Sequence, residues 1–195
     1  MAIGRPRTFS KEDALDQALK VFWRKGYEGA SICDLTAAMG INPPSLYAAF
    51  GNKESLFRQA LDRYAETKGA FVRAALAAPK ARDGIAALLR GTAQSLADKS
   101  SPTGCLLVQG IAGAGDHAQC IREELSARRA AGQKAICERL QRAQSEGELP
   151  ADADPAALAR YVSTVTQGMA IQAAGGASAQ ELERVADMAM RVWPG

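Results

Sequence analysis

Residues 31–53 read SICDLTAAMGINPPSLYAAFGNK, and this stretch decides how the chain folds. Ile32, Leu35 and Met39 recur at the spacing of one apolar helix face. Ser31 stands just before that face with Asp34 three residues on, a variant capping box that starts a helix. Gly40 supplies the left-handed residue that closes it. Ile41 and Asn42 carry the chain around, and a second short helix presents Leu46 and Phe50 on one side. Its entry point is open. Asn42 is a good cap, but Pro43 itself precedes a proline and is disfavoured in helical geometry, so the first helical residue is Pro43 or Pro44. Two short helices around a glycine turn form a helix-turn-helix, whose second helix lies in the major groove of DNA.

The wider stretch GINPPSLYAAFGNKESLF, residues 40–57, resembles the signature of the TetR/AcrR family of bacterial transcriptional repressors. The resemblance rests on Gly40, Ser45-Leu46-Tyr47, Phe50 and Lys53-Glu54. It extends upstream through Ala18, Phe22, Gly26-Tyr27, Ser31-Ile32 and Leu35. It implies an all-α protein of about nine helices. Residues 1–53 are expected to form the DNA-binding domain, and residues 54–195 a regulatory and dimerisation domain. It further implies a homodimer that binds a pseudo-palindromic operator in double-stranded DNA and is released by a small-molecule effector. In the family the residues matching Tyr47 and Lys53 touch phosphate. A lysine at a helix start opposes the helix dipole, so a phosphate partner accounts for Lys53. Ser31, at a helix N-terminus, combines cap and phosphate donor. Asn42, Pro43, Pro44, Ser45 and Ala49 are the positions expected to face bases. Many family members carry histidine where Ala49 stands. Here the apolar contacts left are of the kind made to thymine methyls, and phosphate grip should exceed base reading in energy.

Bulk properties agree with a helical chain that buries a core. The 195 residues are 47% hydrophobic, 23% charged and only 6% aromatic, with abundant alanine and no alternating β-branched runs. The net charge of +3 is too mild to establish nucleic-acid binding alone. Residues 1–11 carry Arg5, Arg7 and Lys11 and no acid. This arm is either a solvated terminus or a reach of Arg5 and Arg7 to DNA. No secretory leader and no membrane span is read, and four cysteines without CxxC spacing suggest reduced thiols and a cytoplasmic protein. With a single histidine, no metal site is expected, and nothing calls for a cofactor.

The remaining helices follow from caps and breakers. Ser10, with Asp13 three residues on, opens a helix from Lys11 to Lys25 that Gly26 ends. A long helix from Asn52 to Ala78 is expected to stop at Pro79, with Gly69 its weak point. Further helices fall near 81–98, from Cys105, near 116–146 and near 155–174, and a last one is capped by Ser178. Apolar and small residues surround the last two, which either fill the core or, as the resemblance implies, pair with a second subunit.

No catalytic arrangement stands out, so an enzyme is not expected. His117 lies near Cys120 and Cys105, but no orienting third residue accompanies them. The effector is expected to be small and mostly apolar, with Phe71, Leu88, Cys105, Val108, His117, Tyr161, Met169 and Gln172 as contributors. Cys33 is read as a buried small hydrophobe. Cys105, within TGCLLVQG, is either a packing residue or a thiol sensor of electrophiles. The alternative from another class is a helical small-molecule-binding protein with a non-functional DNA-binding head.

Overall fold

The computed structural model describes residues 10–110 and 119–194. Arg5, Arg7 and His117 lie outside the described residues. Among the described residues ten α-helices follow one another and there is no strand. They are α1 (Lys11–Gly29), α2 (Ile32–Met39), α3 (Pro43–Phe50), α4 (Lys53–Lys68), α5 (Ala70–Leu76), α6 (Ala81–Leu96), α7 (Leu106–Gln109), α8 (Gln119–Ser145), α9 (Pro155–Ala174) and α10 (Ala179–Ala189). A 3₁₀ turn over Met190–Val192 follows.

Local chemistry sets most of these boundaries. The Ser10 hydroxyl accepts from the Asp13 amide at 3.1 Å and starts α1. Gly26, at φ 69° and ψ 178°, leaves helical geometry and ends the first segment of α1, as expected; a short second segment continues across this kink to Gly29. Asp154 accepts from the amides of Ala156 and Ala157, with Pro155 at the first helical position of α9. Ser178 and Glu181 close a reciprocal capping box at the start of α10.

The expected 27-residue helix from Asn52 to Ala78 is two segments. The helix is interrupted at Gly69, which still donates its amide to the Ala65 carbonyl at 3.0 Å and accepts from the Arg73 amide at 3.1 Å; with no side chain to pack it is the least helix-favouring residue of the run. This split accounts for the tenth helix.

Helices α1 to α4 surround one core of Phe22, Leu35, Leu46, Leu56, Phe57 and Leu61, each at most 0% exposed. Burying side chains of this size contributes about 1.5–3 kcal/mol each. Phe57 meets Phe22 edge-on at 4.9 Å between ring centroids. The same core takes in Leu106 from α7 and Ile121 and Leu125 from α8, so head and body share an interior. A second core joins α5, α6, α8, α9 and α10, and a third, around Leu96, Met169 and Leu182, joins α6 to α9 and α10. The buried Arg139 of α8 donates to the Ala78 and Pro79 carbonyls, both at 3.1 Å, and pins the α5–α6 turn.

Helices α5 and α6 approach so closely that a Cβ on Gly84 would lie 2.5 Å from the Ala75 carbonyl oxygen. Alanine for glycine within a helix ordinarily stabilises by about 0.5–1 kcal/mol. Here Gly84→Ala should instead destabilise by about 1–3 kcal/mol, because backbone must move. A lowered urea midpoint is the expected result; a raised one would show that the two helices separate freely.

Candidate DNA interface and effector cavity

The start of α2 is a closed network. The Ser31 hydroxyl accepts from the Asp34 amide at 3.0 Å, while Asp34 accepts from the Ser31 amide at 3.0 Å and its hydroxyl at 2.7 Å. Lys25 of α1 adds an ion pair to Asp34 at 2.7 Å. Gly40, at φ 66°, ends α2, and the Ile41 amide donates back to the Thr36 carbonyl at 3.1 Å. This is the six-to-one bond of a glycine-terminated helix. Only glycine takes that φ without strain, so the turn between the two helices is fixed at Gly40.

Asn42 resolves the open entry of α3. Its side-chain oxygen accepts from the Ser45 amide at 2.9 Å, and its carbonyl from the Leu46 amide at 3.1 Å. Pro43 and Pro44 are thus the first two helical residues. Their missing N–H groups cost nothing in this turn, which outweighs the steric bias on Pro43. Leu46 and Phe50 face the core, as their spacing requires. Asn42, Pro43, Pro44 and Tyr47 are exposed, Tyr47 at 49%, whereas Ser45 is half-buried. Ala49 is also half-buried and packs on the head core, which limits it as a base contact.

Lys53 opens α4 behind Asn52, whose side chain accepts from the Ser55 amide at 2.7 Å. Its ammonium stands 4.6 Å from the centroid of the Tyr27 ring. Burial lowers its pKa, and Glu28 works against that shift. Lys53 therefore has a packing partner, the Tyr27 ring, that reading by helix dipole missed. Cys33 is another correction: it is exposed on α2, because Leu35 and Met39, not Cys33, turn inward.

A cavity of about 460 Å³ lies among α4, α5, α6, α7, α8 and α9. Phe71, Leu88, Cys105 and Val108 line it, as the sequence suggested. Three other expected residues do not. Met169 is buried in the third core, Gln172 is exposed, and Tyr161 faces outward beside a small crevice with Trp193. Residues the sequence reading missed are Tyr64, Lys68, Arg73, Arg129, Ile136 and Ser163. The spacing of Leu61, Tyr64, Lys68 and Val72, one helix face, is the signal that would have found the first two. Tyr64 donates to the Cys105 sulfur at 3.3 Å and meets Trp23 of α1 edge-on at 4.8 Å. Burial holds the Tyr64 phenol well above its usual pKa, with Cys105 adding to the shift.

Two family models cover most of the chain. One, described as bacterial regulatory proteins, tetR family, matches residues 14–60; the other, a tetracyclin repressor-like C-terminal domain, matches residues 79–189. The chain belongs to the tetR family of bacterial transcriptional regulators. Within it, the chain is 35% identical over 193 residues to the HTH-type transcriptional repressor ComR of Escherichia coli, covering 98% of this chain and 92% of ComR. A cysteine mutant of the TetR-family regulator CifR, solved with 26bp double-strand operator DNA, superposes with a TM-score of 0.94 at 43% identity. That match covers 97% of this chain and 100% of CifR. A regulator from Chloroflexus aurantiacus superposes with a TM-score of 0.80 at 26% identity, over 92% of this chain and 91% of its own. Among the described residues of this TetR-family chain, no helix is long and apolar enough to cross a membrane. No group of three or more metal-ligating residues occurs among them either.

The network at Ser31 makes the head sensitive to acid. Hydrogen bonds from Lys25 and Ser31 hold the Asp34 carboxyl at about 2, against the usual 3.8. A depressed carboxylate pKa stabilises the fold above pH 3.8, and that contribution is lost as pH falls from there towards 2. Melting temperature should drop across this window, and Asp34→Asn should flatten the drop. An unchanged pH profile in Asp34→Asn would place the acid sensitivity elsewhere.

Proposed function

We propose that this TetR-family chain is a ligand-responsive repressor: a homodimer that binds a pseudo-palindromic operator and leaves it when a small molecule fills the cavity. Residues 1–53 carry the DNA contacts and residues 54–195 the regulation and pairing. The observation that carries the reading is the two-sidedness of α3, with Leu46 and Phe50 buried and Asn42, Pro43, Pro44 and Tyr47 in solvent. Tyr47, Lys53 and Ser31 grip phosphate, while Asn42, Pro43, Pro44, Ser45 and Ala49 approach bases, and Arg5 and Arg7 extend the contact. The repressor ComR and the CifR–operator complex support the assignment. The chain acts in the cytoplasm, where its operator is, and needs neither catalysis nor a cofactor for this role.

The partner subunit pairs through α9 and α10. Ile171, Val185 and Met188 there, and Val192 in the 3₁₀ turn that follows, are exposed large hydrophobic residues, Ile171 at 61% and Met188 at 60%. Such a patch marks an interface. Two heads at fixed separation then meet two half-sites about one helical turn or a multiple apart. An effector releases DNA only to the extent that it prefers the spacing that DNA does not fit.

A second reading of regulation rests on the Cys105 thiol, which lines the cavity within 3.3 Å of the Tyr64 hydroxyl. In a Cys33→Ser background, which removes the exposed competing thiol, N-ethylmaleimide should release DNA from the protein. Cys105→Ser in the same background should stay bound. Equal release from both would reject thiol sensing.

Binding to DNA flanking the protein's own gene, measured by anisotropy against salt, tests the main reading. Affinity should fall steeply with salt. Lys53→Met should reduce the slope of log affinity against log salt by about 1. A slope that stays the same while the melting temperature drops would confine Lys53 to its contact with Tyr27. Met188→Glu combined with Val185→Glu should halve the mass seen by sedimentation at micromolar concentration. A parent protein that sediments as a single subunit would overturn the dimer.

A further inference from the structure

The cavity is chemically lopsided. Its deep wall is apolar, with Leu88, Leu96 and Ile136 buried. Ala65, Arg73, Ala131 and Gly132 are exposed lining residues and mark its open side, between the α4–α5 junction and the middle of α8. Four cations line it, Lys68, Arg73, Arg128 and Arg129, and no carboxylate does among the described lining residues.

Two of these cations are already neutralised. Lys68 pairs with Asp98 at 3.0 Å, and Arg128 with Asp62 at 2.6 Å and Glu124 at 2.7 Å. The other two have no carboxylate partner among the described residues. Arg73 donates to the Ala65 carbonyl at 3.3 Å, and Arg129 to the Leu107 carbonyl at 2.6 Å. Each guanidinium carries five donors, so most of its capacity is unspent. Two cations without carboxylate partners in the lining of an apolar pocket favour a ligand with a hydrophobic body and one acidic head, because charge-assisted bonds from a guanidinium to a carboxylate are roughly twice as strong as neutral ones.

We infer that the cavity binds an amphipathic organic anion, its hydrophobic part against Leu88, Leu96 and Ile136 and its acidic group taken by Arg73 at the open side or by the half-buried Arg129. The inference rests on the reading of this cavity as the effector site and names the chemistry of what enters. The volume of about 460 Å³ lies within the range of small-molecule sites, about 300–1,000 Å³. The position of the arginines also says how occupancy reaches the head. The Arg73 contact to Ala65 spans the interruption at Gly69. The Arg129 contact ties α8 to Leu107 of α7, next to Leu106 in the core shared with the head. An anion that recruits either guanidinium group competes with its tie.

Calorimetry on the full chain without DNA separates ligand chemistry from induction. The probes are two pairs of equal skeleton: octanoate with 1-octanol, and 2-naphthoate with 2-naphthol. At least one acid should bind about tenfold or more tighter than its alcohol. At least one of Arg73→Gln and Arg129→Gln, assayed separately, should weaken the acid about tenfold and leave the alcohol within about twofold, which also shows that the cavity is intact. Acid and alcohol binding alike, neither pair binding at millimolar concentration, or neither arginine variant weakening the acid selectively would each overturn the inference. An acid that binds as expected but leaves DNA affinity unchanged would uphold the ligand class and count against its role as inducer. Failure of the unliganded protein to bind DNA would fall on the repressor reading alone.

Discussion

The interaction on which the rest depends is the continuous apolar interior that runs from the head into the body. Phe22 and Phe57 lock α1 to α4, and Leu106, Ile121 and Leu125 enter the same core from α7 and α8. Polar ties run alongside: Arg63 of α4 grips Asp16 of α1 with two bonds, at 2.7 and 3.1 Å, and Arg128 of α8 holds Asp62 of α4. Close-packed interiors do not yield continuously. A shift of α4, α7 or α8 around the cavity therefore has to be taken up by the head as a body.

This shared core also explains how helices as short as α2 and α3 hold their shape. Each has eight residues, fewer than an isolated helix needs in water. Their stability comes from side-chain caps at Ser31 and Asn42, the glycine stop at Gly40, and the anchors Leu35, Leu46 and Phe50. The prolines at the start of α3 restrict the unfolded chain further. The exposed side of α3 is thus set before any partner arrives, which lowers the ordering cost of association.

The head was legible in the sequence because its signals are local. Caps, a turn glycine and a short apolar period each act within four residues, and the structure keeps all of them. The body was less legible because its informative surface is an empty space. A cavity is lined by residues that fail to fill it, and α9 turns Ser163, Thr166, Gln167 and Ala170 towards it. The large side chains on that helix that attract notice in the sequence, Tyr161 and Met169, are spent on the outer face and on a core. Arg73 and Arg129 read as ordinary solvated charges in the sequence, and only the fold brings both to the lining of the cavity. Gly69 was visible as a weak point, but whether it breaks the helix depends on what α5 packs against, which is α6, the next helix, folded back on it, and α8 beyond.

The chain has two tryptophans, and their positions give it a built-in optical readout. Trp23 is buried between the head core and the cavity wall, edge-on to Tyr64 and beneath the Lys68 ammonium at 5.9 Å, and its indole N–H has no acceptor among the described residues. Trp193 sits at the other end, beside Tyr161 and Met190. Indole emission responds to nearby charge and to water, so removing Trp193 leaves a native fluorophore that watches the passage between effector and DNA without any attached dye.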